Sequence, residues 1–546
     1  MTNRFSGLIS ILVLSILLLI AIDAPAQSRA RPSTSPPPPP PPKREFRGVW
    51  VATVNNLDYP KKPTTWPTAH KEEWKNLLKK LKELGFNAVI FQVRPAGDAF
   101  YFSEYAPWSE YLTGRQGMPP KPEYDVLQFL IEEAHKNGME FHAWFNPFRA
   151  TMGLDTAALH PLHVFNSHRN WVVKYGRRFY LNPAIPQVRE HVRDVVAEVV
   201  SKYDIDGVHF DDYFYPYPIA NEVFPDSLDF RVYGSAYKDI GDWRRSNVDA
   251  VVEMVSTSIK EIKPNVYFGV SPFGVWRNKD KDPMGSETRA SIGSYDDLYA
   301  DVLGWLRNGW IDYVAPQIYW NIGFGPADYA TLQRWWSLHV SDRQLYIGQA
   351  AYKVGNDRQE QWNEPGEIGR QIALNRRNRR VAGTVLFRAE SVLNDPLGLK
   401  DSLRLYFKES ALLPERPELS QGIFSAPDLQ KVKNQRGKAR VIWRPAKQDR
   451  EKPPTYYVVY RFAGNGVGDM DDPRNIRYIS CFNDNRKKFQ YIDSSIDEGQ
   501  TYTYLVTAAN RAHSESGGSE AAAVTRHNNR VKKYKAPKRS KRRRKK

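Results

Sequence analysis

The sequence predicts an α/β protein: a closed (β/α)8 TIM-type barrel followed by a small all-β sandwich. Three observations carry this reading. From Glu45 to about Phe407, eight short apolar runs of β type alternate with longer segments of helical period. Glycines such as Gly85 and Gly138 stand just past helical segments, where a left-handed terminator is expected. Beyond about Ala426 the helical period stops and short alternating runs take over. A doubly wound open sheet fits less well, since it usually has fewer strands and a glycine-rich first turn. The first run here ends Thr-Val-Asn-Asn-Leu-Asp-Tyr-Pro60, without such glycines.

In chain order the expected barrel strands are residues 46–54, 87–95, 140–148, 207–214, 266–276, 312–320, 344–353 and 383–391. The helices expected between and after them are 71–84, 124–136, 187–203, 243–262, 295–308, 329–339, 366–377 and 399–407. Eight such pairs close into a barrel. The later runs, 439–443, 456–462, 489–493 and 501–509, read as strands of a sandwich of about 100 residues. Tyr502-Thr-Tyr-Leu-Val-Thr-Ala-Ala-Asn510, followed by Ser-Glu-Ser-Gly, resembles the penultimate strand of a fibronectin type III domain, and Trp443 and Tyr460 fit its core aromatics.

The flanks have their own character. Arg4 gives a positive start, residues 8–22 are almost unbroken apolar, and Ala24-Pro-Ala26 offers a small-x-small cleavage pattern, so 1–26 reads as a signal peptide. The apolar run falls short of the roughly 20 residues that a membrane span needs. No cysteine follows it to carry a lipid. Secretion across the inner membrane, to the periplasm or cell envelope, is the expectation. Seven consecutive prolines, Pro36 to Pro42, make 27–44 a stiff linker. The barrel is then expected over 45–413, the sandwich over 424–526, and a basic disordered tail over 527–546. The single cysteine, Cys481, excludes an intramolecular disulfide and a cysteine-built metal site. Of the net charge of +18, twelve positive charges belong to residues 530–546, which leaves +6 for the rest. The tail suits an anionic envelope polymer, and an export signal argues against nucleic acid.

A barrel places its chemistry at the C-terminal ends of its strands. The fourth run, Gly207-Val-His-Phe-Asp-Asp-Tyr213, ends in two adjacent carboxylates, Asp211 and Asp212. Neighbours on a strand face opposite ways, so at most one of them enters the mouth directly. The other strand ends contribute Asp58; Arg94 and Asp98; Asn146 and Arg149; His209 and Tyr213; Trp276; Gln317, Tyr319 and Trp320; and Glu390. Such a mix of amide, guanidinium, carboxylate and aromatic groups recognises sugars, whose hydroxyls need polar partners and whose C–H faces stack on rings. Other chemistries fit less well. There is no His-Glu-x-x-His, and His142 and His209 lack a convincing third ligand, so no metal is expected. Ser271-Pro-Phe-Gly is not a nucleophile elbow, no phosphate loop is present, and no cofactor is implied.

Several motifs in order carry a family resemblance: residues 45–60, Phe91-Gln-Val-Arg-Pro95, Trp144-Phe-Asn-Pro147, residues 206–216, Asp242-Trp-Arg-Arg-Ser-Asn247 and Ala315-Pro-Gln-Ile-Tyr-Trp320. Together they resemble the glycosyl-hydrolase-like family ten of bacterial envelope proteins, over roughly 45–413. The resemblance implies a barrel and an exported glycosidase acting on cell-wall glycan strands stripped of their peptides. Glycoside hydrolysis needs two carboxyls. Asp212 is the expected principal acid, with Asp211 orienting or sharing it, and Asp98 or Glu390 is expected to supply the second carboxyl. Arg94, Asn146, Arg149, His209, Tyr213, Gln317 and Tyr319 are expected to bind the sugar, with Trp276 and Trp320 as stacking walls. Two other readings stay open: a glycan-binding envelope protein without catalysis, and a metal-dependent polysaccharide deacetylase.

Overall fold

The computed structural model describes residues 39–534 apart from 341, 420, 421, 423, 483 and 485. The expected signal peptide, most of the proline linker and the tail from 535 onward lie outside the described residues. Eight parallel strands close into a barrel: β1 (Phe46–Val51), β2 (Ala88–Arg94), β3 (Glu140–Phe145), β4 (Gly207–Phe210), β5 (Tyr267–Val270), β6 (Tyr313–Val314), β7 (Gln344–Gln349) and β8 (Val381–Leu386). Each pairs with its neighbours in sequence, and β8 closes on β1. Around them run α1 (Pro67–Glu83), α2 (Val126–Lys136), α3 (Pro186–Lys202), α4 (Ile240–Ile262), α5 (Tyr329–His339), α6 (Glu367–Arg377) and α7 (Leu399–Tyr406). Prolines open α1 and α3 at positions whose N–H would be unpaired anyway. Asp125, Asp239 and Asp328 cap α2, α4 and α5.

The strands are buried on both faces, as parallel strands must be. Val49, Val89, Phe141, Val208, Phe268, Val314, Ile347 and Leu386 face the helices. Phe46, Trp50, Ile90, Trp144, Tyr267, Tyr313, Tyr346 and Val385 fill the lumen. Glycines make room for those rings. A Cβ on Gly269 would lie 2.0 Å from the Tyr313 ring, and one on Gly207 would lie 2.6 Å from the His142 imidazole. The Tyr313 hydroxyl ties both lumen histidines, 2.8 Å from His142 Nδ1 and 2.8 Å from His209 Nδ1.

All eight expected strands form, but their C-terminal ends come earlier. Pro147, Pro272 and Pro316 lie just past β3, β5 and β6, where a residue without N–H cannot extend a ladder. The expected helix 295–308 is two short helices, Ser294–Asp297 and Val302–Arg307, because Asp301 caps a fresh start at Gly304 N. A hairpin, Val172–Tyr175 with Arg178–Leu181, was not anticipated.

Beyond the barrel lie two antiparallel sheets. One contains β9 (Asp428–Gln435), β10 (Lys438–Arg444) and β13 (Phe489–Asp493). The other contains β11 (Tyr456–Ala463), β12 (Ile476–Ile479), β14 (Thr501–Ala509), β15 (Ala522–His527) and β16 (Arg530–Lys533). They share a core that includes Trp443, Tyr457, Phe489, Tyr504 and Val506. Arg530–Lys533 was read as basic tail; instead it pairs with β15 and closes one edge of the larger sheet. The sandwich meets the N-terminal end of the barrel strands, opposite the mouth. There the Glu140 carboxylate accepts from Arg416 Nη2 at 2.6 Å, and His513 Nε2 of the sandwich lies 2.9 Å from it. Arg511, also of the sandwich, pairs with Asp204 at 2.6 Å and with Asp206 at 2.9 Å.

Candidate active site

The end of β4 builds the site. His209 faces the lumen, so Asp211, two residues on, continues inward at the mouth. It accepts hydrogen bonds from Trp144 Nε1 at 3.1 Å, Asn146 Nδ2 at 2.9 Å and the Tyr213 backbone N–H at 3.2 Å. Asp212 follows where the strand has already ended. Its side chain leans toward β5 and β6, accepts from the Tyr217 hydroxyl, and lies beside the Gln317 amide. Gln317 Nε2 also donates to Ser271 O at 2.9 Å. Both acids are buried, at 4% and 5% exposure, below half-buried rings.

Burial penalises both charges. It pushes Asp212 up to about 6, helped by the adjacent Asp211 charge and opposed by the Tyr217 and Gln317 hydrogen bonds. Burial also raises Asp211, but the Arg149 guanidinium and the Asn146 amide pull it back. The two therefore titrate as a pair, with Asp212 the better proton holder and Asp211 the better-supported carboxylate. Burial, then the Asp212 charge, raises the Tyr217 phenol, which stays a donor.

An aromatic row crosses the mouth beside Asp212. The Arg149 guanidinium lies 5.2 Å from the Tyr213 ring centroid. Tyr213 meets Tyr217 at 5.4 Å, Tyr217 meets Phe273 at 6.1 Å, and Phe273 meets Trp320 at 5.5 Å. Burial, then the Tyr352 phenol and the charges of Asp212 and Asp211, raise the Tyr319 hydroxyl well above its usual range. Asp211, Asp212, Asn146, Arg149, Tyr213, Gln317, Tyr319 and Trp320 thus belong to one site. Tyr217 and Phe273 join them without having been anticipated. The signal for Tyr217 was its place in the aromatic and proline run right after the acids.

Other expected site residues stand elsewhere. His209 is a lumen brace: Trp50 Nε1 lies 3.3 Å and Ser271 Oγ 2.8 Å from its Nε2. Burial and the neighbouring His142 hold its pKa well below the usual range, so it is neutral. Arg94 turns outward to His191 of α3, 3.4 Å away. Trp276 is packed against Trp335 and Tyr295 at 5% exposure and presents no open face. Asp98 is buried with Ser109, Gln116 and Arg94 as neighbours, and burial pushes it up to about 6. Glu390 pairs with Lys61 and Arg388, and Arg388 in turn holds Asp58 at 2.9 Å. Among the described residues, no hydrogen bond or ion pair joins Asp58, Asp98 or Glu390 to Asp211 or Asp212.

The site is thus a buried acid pair with an aromatic row at the strand ends of a closed parallel barrel. Comparison with known proteins gives the family. The chain belongs to the glycosyl hydrolase-like 10 family, whose model matches residues 45–364. It is 44% identical over 483 residues to the glycosyl hydrolase YngK of Bacillus subtilis (strain 168), covering 87% of this chain and 93% of that protein. It is 42% identical over 373 residues to the glycosyl hydrolase DigH of Escherichia coli (strain K12), covering 64% of this chain and 84% of that protein. Among solved structures, the PgaB (BpsB) glycoside hydrolase domain from Bordetella bronchiseptica aligns with a TM-score of 0.42 at 14% identity, over 66% of this chain and 99% of that chain.

Proposed function

We propose that this protein is an exported hydrolase of O-glycosyl bonds that acts on a cell-envelope polysaccharide, peptide-free peptidoglycan strands being the best-fitting substrate. The observation that carries the reading is the adjacent buried pair Asp211–Asp212 beside an aromatic row at the barrel mouth. Asp212 holds a proton near pH 6 and gives it to the departing glycosidic oxygen. Asp211 stays ionised beside it. Asp211, held by Trp144, Asn146 and the Tyr213 N–H, is the second carboxylate of the site and supports the positive charge that builds at the anomeric carbon as the bond to the leaving oxygen breaks. Water then attacks that carbon and returns a proton to Asp212. Export rests on the apolar N-terminal run and its Ala-Pro-Ala site, and the basic C-terminal residues suit an anionic envelope polymer.

The test is Asp212→Asn in purified protein against peptide-free glycan strands, with released oligosaccharides read by mass spectrometry. Release should fall by about 10²–10⁴-fold; release at the wild-type rate removes Asp212 from the chemistry. One observation favours a second reading, a glycan-holding protein: Asp98 and Glu390, the expected opposite acids, are engaged elsewhere. On that reading the wild-type protein binds the strands and leaves them at full length.

A further inference from the structure

The two sheets of the sandwich present different outer faces. That of the larger sheet is turned to the barrel, where Tyr456, Val458, Tyr460 and Phe462 share a core with Phe46, Leu412 and Leu413. The smaller sheet, β9–β10–β13, packs inward through Val432, Ala439, Val441, Trp443 and Phe489. Alternation then turns Lys431, Lys433, Lys438, Arg440 and Arg444 outward, on the side away from the barrel. Lys431, Lys433, Lys438 and Arg444 are exposed, and the half-buried Arg440 donates to Gln490. Lys433 stands directly across from Arg440, and Lys431 is its neighbour two residues back on the same face. Like charges opposite one another destabilise a sheet. Lys433 is accordingly held below the usual lysine range, first by the charge of Lys431 and further by those of Lys488 and Arg440. The ion pairs made within the sandwich use other residues: Arg461–Asp493, Arg474–Asp472, Arg486–Asp484 and Arg526–Glu498. The acid at the corner of the face, Asp428, accepts from Gln430.

Lysines on an edge strand guard it against pairing with another chain. That accounts for β9 but not for β10, which is the central strand and carries three of the five cations. The face is flat, and cations two residues apart on one strand are separated by about 7 Å. Such a surface matches a chain that repeats its charge, whereas a single small anion needs converging donors. Ile492 is the large apolar side chain exposed on it, too little to enter a lipid surface. Beside β9 lies β16, tied to it by the Val531 N–H on Asn434 Oδ1 at 2.9 Å, and the sequence that continues from β16 carries nine lysines or arginines in residues 535–546. We propose that the outer face of β9, β10 and β13 binds a linear polyanion joined by phosphodiester links. Three of the five cations are lysines, which meet phosphate as point charges, without the planar fork that suits carboxylates. This is a folded site that does not need the tail. It is separate from the acid pair, and it stands whether or not the hydrolase reading holds.

The test measures binding, so it stands apart from turnover. Full-length protein is titrated into fluorescently labelled oligo(glycerol phosphate), read by anisotropy at several salt concentrations. Binding should weaken steeply with salt, with a log–log slope of about −3. The triple variant Lys431→Gln, Lys433→Gln, Arg440→Gln should bind roughly tenfold or more weakly and flatten that slope by about 2. Its Tm should be unchanged or raised, because opposed like charges are gone. A control triple, Lys62→Gln, Lys79→Gln, Lys121→Gln, removes the same charge from exposed positions of the barrel and should bind like the wild type. In a chain ending at Tyr534 the face triple should still cause its loss. No binding at low salt, an unchanged affinity in the face triple, or equal losses in the two triples overturns the site. Tighter binding to anionic phospholipid vesicles of equal phosphate content, or equal binding to poly-L-glutamate, overturns the phosphodiester polymer as its occupant.

Discussion

At the scale of residues, the acid pair works because two like charges cannot both be held in a buried place. One of them keeps a proton, and Asp212 is the one with the weaker support. The proton donor proposed here must be protonated to act, so kcat/KM should be highest below about pH 6 and fall as pH rises through that value. Asp211 must be ionised, so the rate should also fall on the acid side, below its own raised pKa. Tyr217 gives this profile a handle. Its hydrogen bond favours the Asp212 carboxylate and lowers the Asp212 pKa. In Tyr217→Phe that support is gone, the proton is held more strongly, and the alkaline limb should move to higher pH. A profile unmoved by the change would show that Asp212 does not set that limb.

At the scale of elements, strand existence was legible and strand endings were not. Eight apolar runs announced eight strands, because a parallel barrel buries both faces of each one. Prolines just past β3, β5 and β6 then cut the ladders short, and each residue saved became mouth loop. Alternation allowed at most one of the two acids straight into the mouth without saying which; Asp211 continues the lumen face of His209, and Asp212 reaches the site because the strand has already ended. Alternation misplaced Arg94, because the register shifts between Gln92 and Arg94 and the side chain swings to α3. It could not place Trp276, since β5 stops at Val270 and a loop follows no period. The missed hairpin had a visible signal, Gly176 with a φ of 56° between two alternating runs. Tyr217 and Phe273 arrive from loops, where spacing fixes no direction. The lumen offers its own test. Gly269→Ala would drive a methyl into the Tyr313 ring, whose hydroxyl holds His142 and His209 under the site. It should cost about 1–3 kcal/mol and lower the Tm; an unchanged Tm would mean the rings below the mouth are loosely packed.

At the scale of the whole molecule, the sandwich works as the floor of the barrel. The Glu140 carboxylate is fully buried between Arg416, His142 and His513. Burial alone would raise its pKa, but the charge of Arg416, then that of His513, holds it well below the ordinary value. A group depressed in this way stabilises the fold above its unfolded value, near 4.5, and that contribution is lost as pH falls from there toward the folded value. Arg416→Met strands the carboxylate and should cost about 3–5 kcal/mol, with calorimetry showing barrel and sandwich melting together at a lower temperature. Two separate transitions in the wild-type protein would contradict this coupling. The sandwich thus closes one end of a barrel whose other end carries the chemistry. The proposed chemistry depends on proton donation by Asp212, and the most direct measurement compares two substrates in the Asp212→Asn protein. One is the glycan, whose leaving oxygen needs a proton. The other is an aryl glycoside of the same sugar, whose phenolate leaves without one. kcat/KM on the glycan should drop by about 10²–10⁴-fold while kcat/KM on the aryl glycoside, set by the bond-breaking step, changes little; a wild-type value on the glycan, or an equal loss on both substrates, would contradict Asp212 as the donor.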